Sequence, residues 1–162
     1  MGNLTKFTTG QSFKSHIDSN GIYTVMDMGG IDIEGNRIEN KRTNLLRDLL
    51  DKGDLIMCKD DIGGGQIIGR TCYIPENNKY VLGDHVFKLS FSKQNSLFIH
   101  YLINSPIFNT KVRLKAAGSA QLGLNLSTIQ QEIIAFTIYE EQSKISSLFT
   151  HLDSLITLHQ RG

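Results

Sequence analysis

Two adjacent acids, Asp60 and Asp61, precede the glycine triplet Gly63-Gly64-Gly65, and Gly69-Arg70 follows shortly after. Paired carboxylates can hold a cation or exchange a proton, and bare glycine backbone can cradle a phosphate. Neither chemistry has its full set of residues here. The glycine run lacks the closing Gly-Lys-Ser/Thr of a nucleotide loop, and it lies between two predicted strands where such a loop needs a following helix. It reads instead as a hairpin tip whose bare backbone can approach a large ligand. Paired acids at a turn read first as solvated. The five histidines share no spacing that suits a metal, and Cys58 and Cys72 belong to no Cys-x-x-Cys. GxSxG, HExxH, the Asn-Pro-Pro-Tyr and Asp-Pro-Pro-Tyr motifs and the Asp…Glu-x-Lys pattern are all absent. A small enzyme built on Asp60, Asp61 and the histidines would have no acid–base pair at a workable spacing. The residues point to a recognition or scaffold module, with no metal site.

Charge is the second chemical signal. Seventeen Lys and Arg against sixteen Asp and Glu leave a net charge of +1, which excludes binding to nucleic acid by bulk charge alone. The average hides an asymmetry. From His85 to Gln131 there is no acid, although about five would be expected at the chain's mean content, and the same stretch carries Lys88, Lys93, Lys111, Arg113 and Lys115. Arg37, Lys41 and Arg42 form a second basic cluster around Glu39. Basic segments on loops of a near-neutral chain suit phosphate contacts that set register while neighbouring side chains read base edges. A solvated surface is the simpler alternative on charge alone.

These residues need elements to hold them. The chain has 162 residues, 40% hydrophobic and 20% charged, enough for one domain with a core. Fifteen glycines imply more tight turns than a helical bundle uses. The pattern predicts an α+β body over residues 1–138, with a mixed sheet, and a coiled-coil-type helix over 139–162. Strands are predicted at 21–28, 55–59, 67–74, 80–82, 85–89 and 133–138. A helix is predicted from Thr43 to Lys52, with Thr43 as cap, Leu45, Leu46, Leu49 and Leu50 as an apolar stripe and Gly53 as terminator. Further helices are predicted near Ser96 and from Ile107 to Lys115, and Ser127 to Gln130 fits one capped turn. In the last segment Ile145, Leu148, Leu152, Leu155 and His159 step by 3, 4, 3 and 4, with Phe149 and Ile156 widening the seam. So short a seam cannot stand alone in water and must pack on the body, a partner or a second copy.

The two cysteines read as reduced core thiols of a cytoplasmic protein. No apolar run approaches the roughly 18 residues of a membrane span. The start, MGNLTKFTTG, has no apolar signal core, and Lys6 stands where myristoylation after Met1-Gly2 needs Ser or Thr.

Three segments together carry a resemblance. Leu50-Asp51-Lys52-Gly53-Asp54-Leu55-Ile56-Met57 enters a strand and is followed by an Ile- and Gly-rich turn at 62–69. Ala117 to Leu126 (AGSAQLGLNL) is a small-residue loop. Glu141-Gln142-Ser143-Lys144-Ile145, continued by Leu148, Leu152, Asp153, Leu155 and Ile156, opens the final helix with polar residues at set places within the heptads. In these features the chain resembles one half of the DNA-specificity (S) subunit of type I restriction-modification systems, over nearly its whole length. It departs from the family's pattern in lacking a proline before the Glu-Gln pair, a residue that only pre-sets the helix start. It also holds one recognition domain where that subunit has two, and its helix stops at Gly162 where relatives run on.

The resemblance implies sequence-specific recognition of double-stranded DNA, each such domain reading half of a split site. It implies that helices set the spacing and dock the modification (methyltransferase) subunit, with the restriction subunit joining through the complex. The chemistry would belong to those partners, and this chain would hold no cofactor itself. Lys111, Arg113 and Lys115 become candidates for phosphate contact, Gln66, Ser119 and Gln121 for base edges, and Arg70 for either. Ile145, Leu148, Phe149, Leu152, Leu155 and Ile156 become an interface that could pair with a second copy about a two-fold axis. A protein-interaction adaptor, docking a modification subunit through the helix without useful DNA readout, is the competing expectation.

Overall fold

Leu55–Cys58 (β4) is an unbroken apolar run, and a strand of that kind must be covered on both faces. In the computed structural model, which describes residues 1–2, 4–61, 63–116 and 122–160, it is buried throughout. Its alternate side chains enter two different cores. Leu55 and Met57 face one cluster, and Ile56 and Cys58 face another.

The elements follow in chain order. Strand β1 is Thr5–Thr9, β2 Tyr23–Met26, β3 Arg42–Thr43, β4 Leu55–Cys58, β5 Asp60–Asp61, β6 Thr71–Tyr73, β7 Tyr80–Leu82 and β8 Val86–Phe91. Helix α1 is Ser96–Asn104 and α2 Pro106–Arg113, then β9 is Leu122–Gly123, α3 Leu126–Gln130 and α4 Tyr139–Gln160. An antiparallel sheet runs β1-β8-β4-β6, and a mixed sheet runs β3-β2-β7 with β2 and β7 parallel. The first core lies between the four-stranded sheet and the helices, joining Leu55, Met57, Phe87 and Leu89 to Ile99, Ile103, Val112 and Ile129. The second lies between the two sheets, joining Ile56, Cys58, Cys72 and Val86 to Met26, Tyr80 and Leu82. A small third core of Phe13, Val25 and Val81 covers the far side of the mixed sheet. The fold is α+β, as expected. Cys58 and Cys72 are buried free thiols; burial pushes Cys58 well up and Cys72 to about 12.

Three predicted elements differ. Residues 43–52 form no helix. Thr43 pairs in β3, and its hydroxyl accepts from the Leu45 amide at 3.1 Å, closing a turn. Beyond it the chain bends back along β7 through a left-handed Asp48 (φ +48°), and Leu49 bridges Val81: the Leu82 amide donates to the Asp48 carbonyl and the Leu50 amide to the Tyr80 carbonyl. Leu45 and Leu49 thereby reach the third core and Leu50 the second, so a spacing that suits a helical stripe serves a folded-back edge. The strand expected over 67–74 shortens to β6, because 67–70 closes a turn in which the Arg70 amide donates to the Ile67 carbonyl. The strand expected over 133–138 is absent from the described chain there. Ile133 and Ile138 are exposed, and only Ile134 of the three isoleucines packs on the first core. Apolar content without a sheet edge to join does not make a strand.

Helix α4 docks through polar residues. Gln142 is buried; its amide nitrogen donates to Gln94 Oε1 and to the Thr137 carbonyl, both at 2.7 Å, and its Oε1 accepts from the Asn95 amide at 2.9 Å. Asn95 in turn caps α1 by accepting from the Phe98 amide. Further along, Tyr101 Oη donates to Asp153 at 2.7 Å and its ring stacks on Phe149. The body covers the apolar seam only in part: Phe149 meets the Tyr101 ring and Ile145 lines a cleft with Phe98 and Leu102, while the rest stands open. Ile145 is 36% exposed, Leu148 58%, Leu152 42% and Leu155 49%. No helix among the described residues is long and apolar enough to cross a membrane.

Candidate nucleic-acid interface

The two glycine-rich segments, far apart in sequence, meet through a two-stranded ribbon. β5 pairs antiparallel with β9, Asp60 opposite Gly123 and Asp61 opposite Leu122. The glycine triplet therefore leaves the ribbon at its Asp61–Leu122 end. Asp61 is buried and builds the loop's base: its Oδ1 accepts from the Gly63 amide at 2.6 Å and its Oδ2 from the Ile67 amide at 3.3 Å. Asp60 instead bonds His85 Nδ1 at 2.8 Å. The acid pair is not a solvated turn. Its members serve two separate contacts, and among the described residues no cluster of His, Cys, Asp and Glu could hold a metal.

Helices α1 and α2 pin the turn that follows. Gly69 has a φ of +71° and lies so close to α2 that a Cβ there would sit 2.6 Å from Val112 Cγ1. Only glycine permits both the left-handed backbone and the contact. Asn109 Nδ2 donates to the Ile68 carbonyl at 3.2 Å. Asn104, the last residue of α1, clamps both polar groups of Thr71: its Oδ1 accepts from the Thr71 amide at 2.8 Å and its Nδ2 donates to the Thr71 carbonyl at 2.9 Å. This covers the outer edge of β6, which would otherwise be an open strand edge. His100 Nδ1 lies 3.1 Å from Thr71 Oγ1, and burial lowers the histidine to about 4, so it is neutral at pH 7.

The cations sit on this frame in two groups. Arg70 is half-buried and donates from Nη1 to the Asn104 carbonyl at 2.7 Å. Burial and then the neighbouring Arg113 charge lower its pKa. Arg113 is exposed and lines a cavity of about 230 Å³ with Gly65, Ile68, Thr110, Leu114 and Leu122. Gln66 is exposed beside the same loop. Lys111 and Lys115 point elsewhere. Both bind Glu132, Lys111 Nζ at 2.9 Å from Oε2 and Lys115 Nζ against Oε1. Glu132 is 1% exposed; burial would raise its carboxyl, but the two lysines outweigh that and hold it below the ordinary carboxylate value. Ser119 and Gln121 lie outside the described residues.

Tertiary contacts thus supply the acids that the basic stretch lacks locally. Lys88 pairs with Asp54 at 3.5 Å, and Lys111 and Lys115 with Glu132, whereas among the described residues Lys93 and Arg113 form no ion pair. The second basic cluster is also engaged. Arg37 donates to the Tyr73 carbonyl at 3.0 Å, Lys41 binds Asp27, and Arg42 donates to the Gly21 carbonyl at 3.3 Å. Sequence reasoning read Asp61 as solvated, where it is buried under the loop, and missed Asn104 and Glu132. Nothing local marks Asn104. Glu132 carries one trace, as the first acid after the acid-free stretch.

The model of the type I restriction modification DNA specificity domain matches residues 3–162. The chain belongs to that family. Comparison with curated proteins gives no match. Solved structures share the fold of this specificity domain. The S subunit of a type I restriction-modification system from M. genitalium superposes with a TM-score of 0.73 at 18% identity, over 94% of this chain and 37% of that one. A structure described as the basis of complex assembly and conformational transition of the type I R-M system gives 0.70 at 11% identity, over 99% of this chain and 38% of that one. The HsdS subunit from Thermoanaerobacter tengcongensis gives 0.65 at 14% identity, over 99% and 37%. The chain thus spans less than two-fifths of the length of each of these matched chains.

Proposed function

We propose that this chain is a DNA target-recognition module of a type I restriction-modification complex, with residues 1–138 as the reading body and 139–162 as the spacer helix. The observation that carries this is the β5–β9 ribbon, which joins the two glycine-rich loops beside Arg113 and Arg70. In this reading Arg113 contacts phosphate. Gln66, Ser119 and Gln121 approach base edges, and Arg70 supports either role from its half-buried place. The module performs no chemistry and needs no cofactor. Methylation and cleavage belong to the modification and restriction subunits that it directs to one half of a split site. Buried free thiols at Cys58 and Cys72 fit a reducing, cytoplasmic setting.

The exposed seam of α4 completes the reading. Ile145, Leu148, Phe149, Leu152, Leu155 and Ile156 present apolar surface to another helix, in a second copy or in a modification subunit. Selection from random duplex pools at two salt concentrations tests DNA readout. Enrichment of one short motif is expected; no enrichment, with capture of a modification subunit, would favour the adaptor. Sedimentation tests the pairing with a second copy, which a strict monomer at high concentration would rule out.

A further inference from the structure

Lys111 lies in the last turn of α2 and Lys115 two residues past its end, in a turn closed by the Lys115 amide donating to the Val112 carbonyl; both reach Glu132, and like charges held so close repel. Arg113, two residues from each, projects from a different face. Glu132 approaches the lysines from beneath. It is 1% exposed, while the lysine side chains are 51% and 44% exposed, so the carboxylate holds two surface cations without being open to solvent itself. Its position is set independently of the lysines, because the Gly2 amide donates to the Gln130 carbonyl and the Met1 amino group to the carbonyls of Gln130 and Glu132.

We infer that Glu132 is a specificity-determining residue that withholds Lys111 and Lys115 from DNA, leaving Arg113 as the cation offered beside the reading loops. This rests on the DNA-binding reading above. Each phosphate neutralised adds affinity for any sequence and about 0.9 to the salt slope. Two freed lysines would therefore strengthen random binding and dilute discrimination. A buried acid that pins them suppresses this indiscriminate part and leaves base readout to decide.

The test uses the full 162-residue chain, with anisotropy titrations of a random-sequence duplex and of the motif enriched from the pool. Glu132→Gln is expected to steepen the slope for random DNA by about 0.9 to 1.8, an extra loss of about 3- to 12-fold in affinity between 50 and 200 mM salt. The ratio of motif to random binding should fall. Simple destabilisation would lower the active fraction and leave the slope unchanged, so an unchanged slope overturns the inference. If Glu132→Gln does not fold, the triple variant Lys111→Met, Lys115→Met, Glu132→Met removes the three side-chain charges together, leaving the Met1 ammonium on its backbone carbonyl acceptors. It should keep the wild-type slope; a fall of about 0.9 or more would mean the lysines already touch phosphate and would overturn the inference. Wild-type chain that binds no DNA would sink the underlying reading, which is a different result from either.

Discussion

Asn104→Ala removes the side chain that holds the Arg70 turn against α1. The amide makes two bonds to the backbone of one residue, to the Thr71 N–H at 2.8 Å and the Thr71 C=O at 2.9 Å, its Oδ1 also accepts from the Thr71 hydroxyl at 3.2 Å, and Thr71 is fully buried. Alanine leaves a buried donor and a buried acceptor without partners, each costing about 1–3 kcal/mol. Water entering at the edge of β6 would recover part of that, so a loss of about 2–4 kcal/mol is expected. For a chain of this length it corresponds to a Tm lower by about 4–16 °C. Urea unfolding followed by circular dichroism measures the loss directly, with a lower midpoint and an unchanged slope. The surface change Gln66→Ala is the control, expected within about 0.5 kcal/mol of wild type. Because the Arg70 guanidinium bonds the Asn104 carbonyl, Asn104→Ala should also weaken selection of the target motif at temperatures where it remains folded. A destabilisation below about 1 kcal/mol would refute the argument, since it would mean that the clamp is not what satisfies the β6 edge.

Arg113→Ala should weaken binding to all duplexes alike and flatten the salt slope by about 0.9, read by the same anisotropy titrations; a change confined to one sequence would assign it to base readout instead. Gln142→Ala strands the Asn95 amide and the Gln94 side chain, so hydrogen exchange should speed up in α4 and at the start of α1 while β4 and β8 keep their protection. Stability should also fall in acid through Glu132. Its folded pKa lies below the ordinary 4.5, so its contribution is full above that value and is lost as pH falls through the lower folded one. Glu132→Gln should lack that component, which parallel melts across the acid range would show.

Much of the fold was legible because its signals are local. The run Leu55–Cys58, the strand signal at 85–89, the helical signals near Ser96 and from Ile107, and the heptads of α4 each fix their own conformation through neighbours in sequence. The polar positions of the α4 motif were legible too, and Gln142 shows why they matter: it is buried and makes three hydrogen bonds to the body. The helix expected at 43–52 failed because apolar spacing says which residues are buried, not which backbone buries them. The edge of β7 offered amides and carbonyls that a folded-back chain could use.

The candidate site divides along the same line. Sequence alone determined that two glycine-rich segments and an acid-free basic stretch exist, that no catalytic set accompanies them, and which family they resemble. Composition and motif are properties of the chain itself. Only the tertiary structure decided that the glycine segments meet on one ribbon, and which cations remain available beside them. The reason is that an ion pair depends on distance through space, and folding brings Glu132 under Lys111 and Lys115 and Asp54 beside Lys88. A charge count along the chain cannot contain that information.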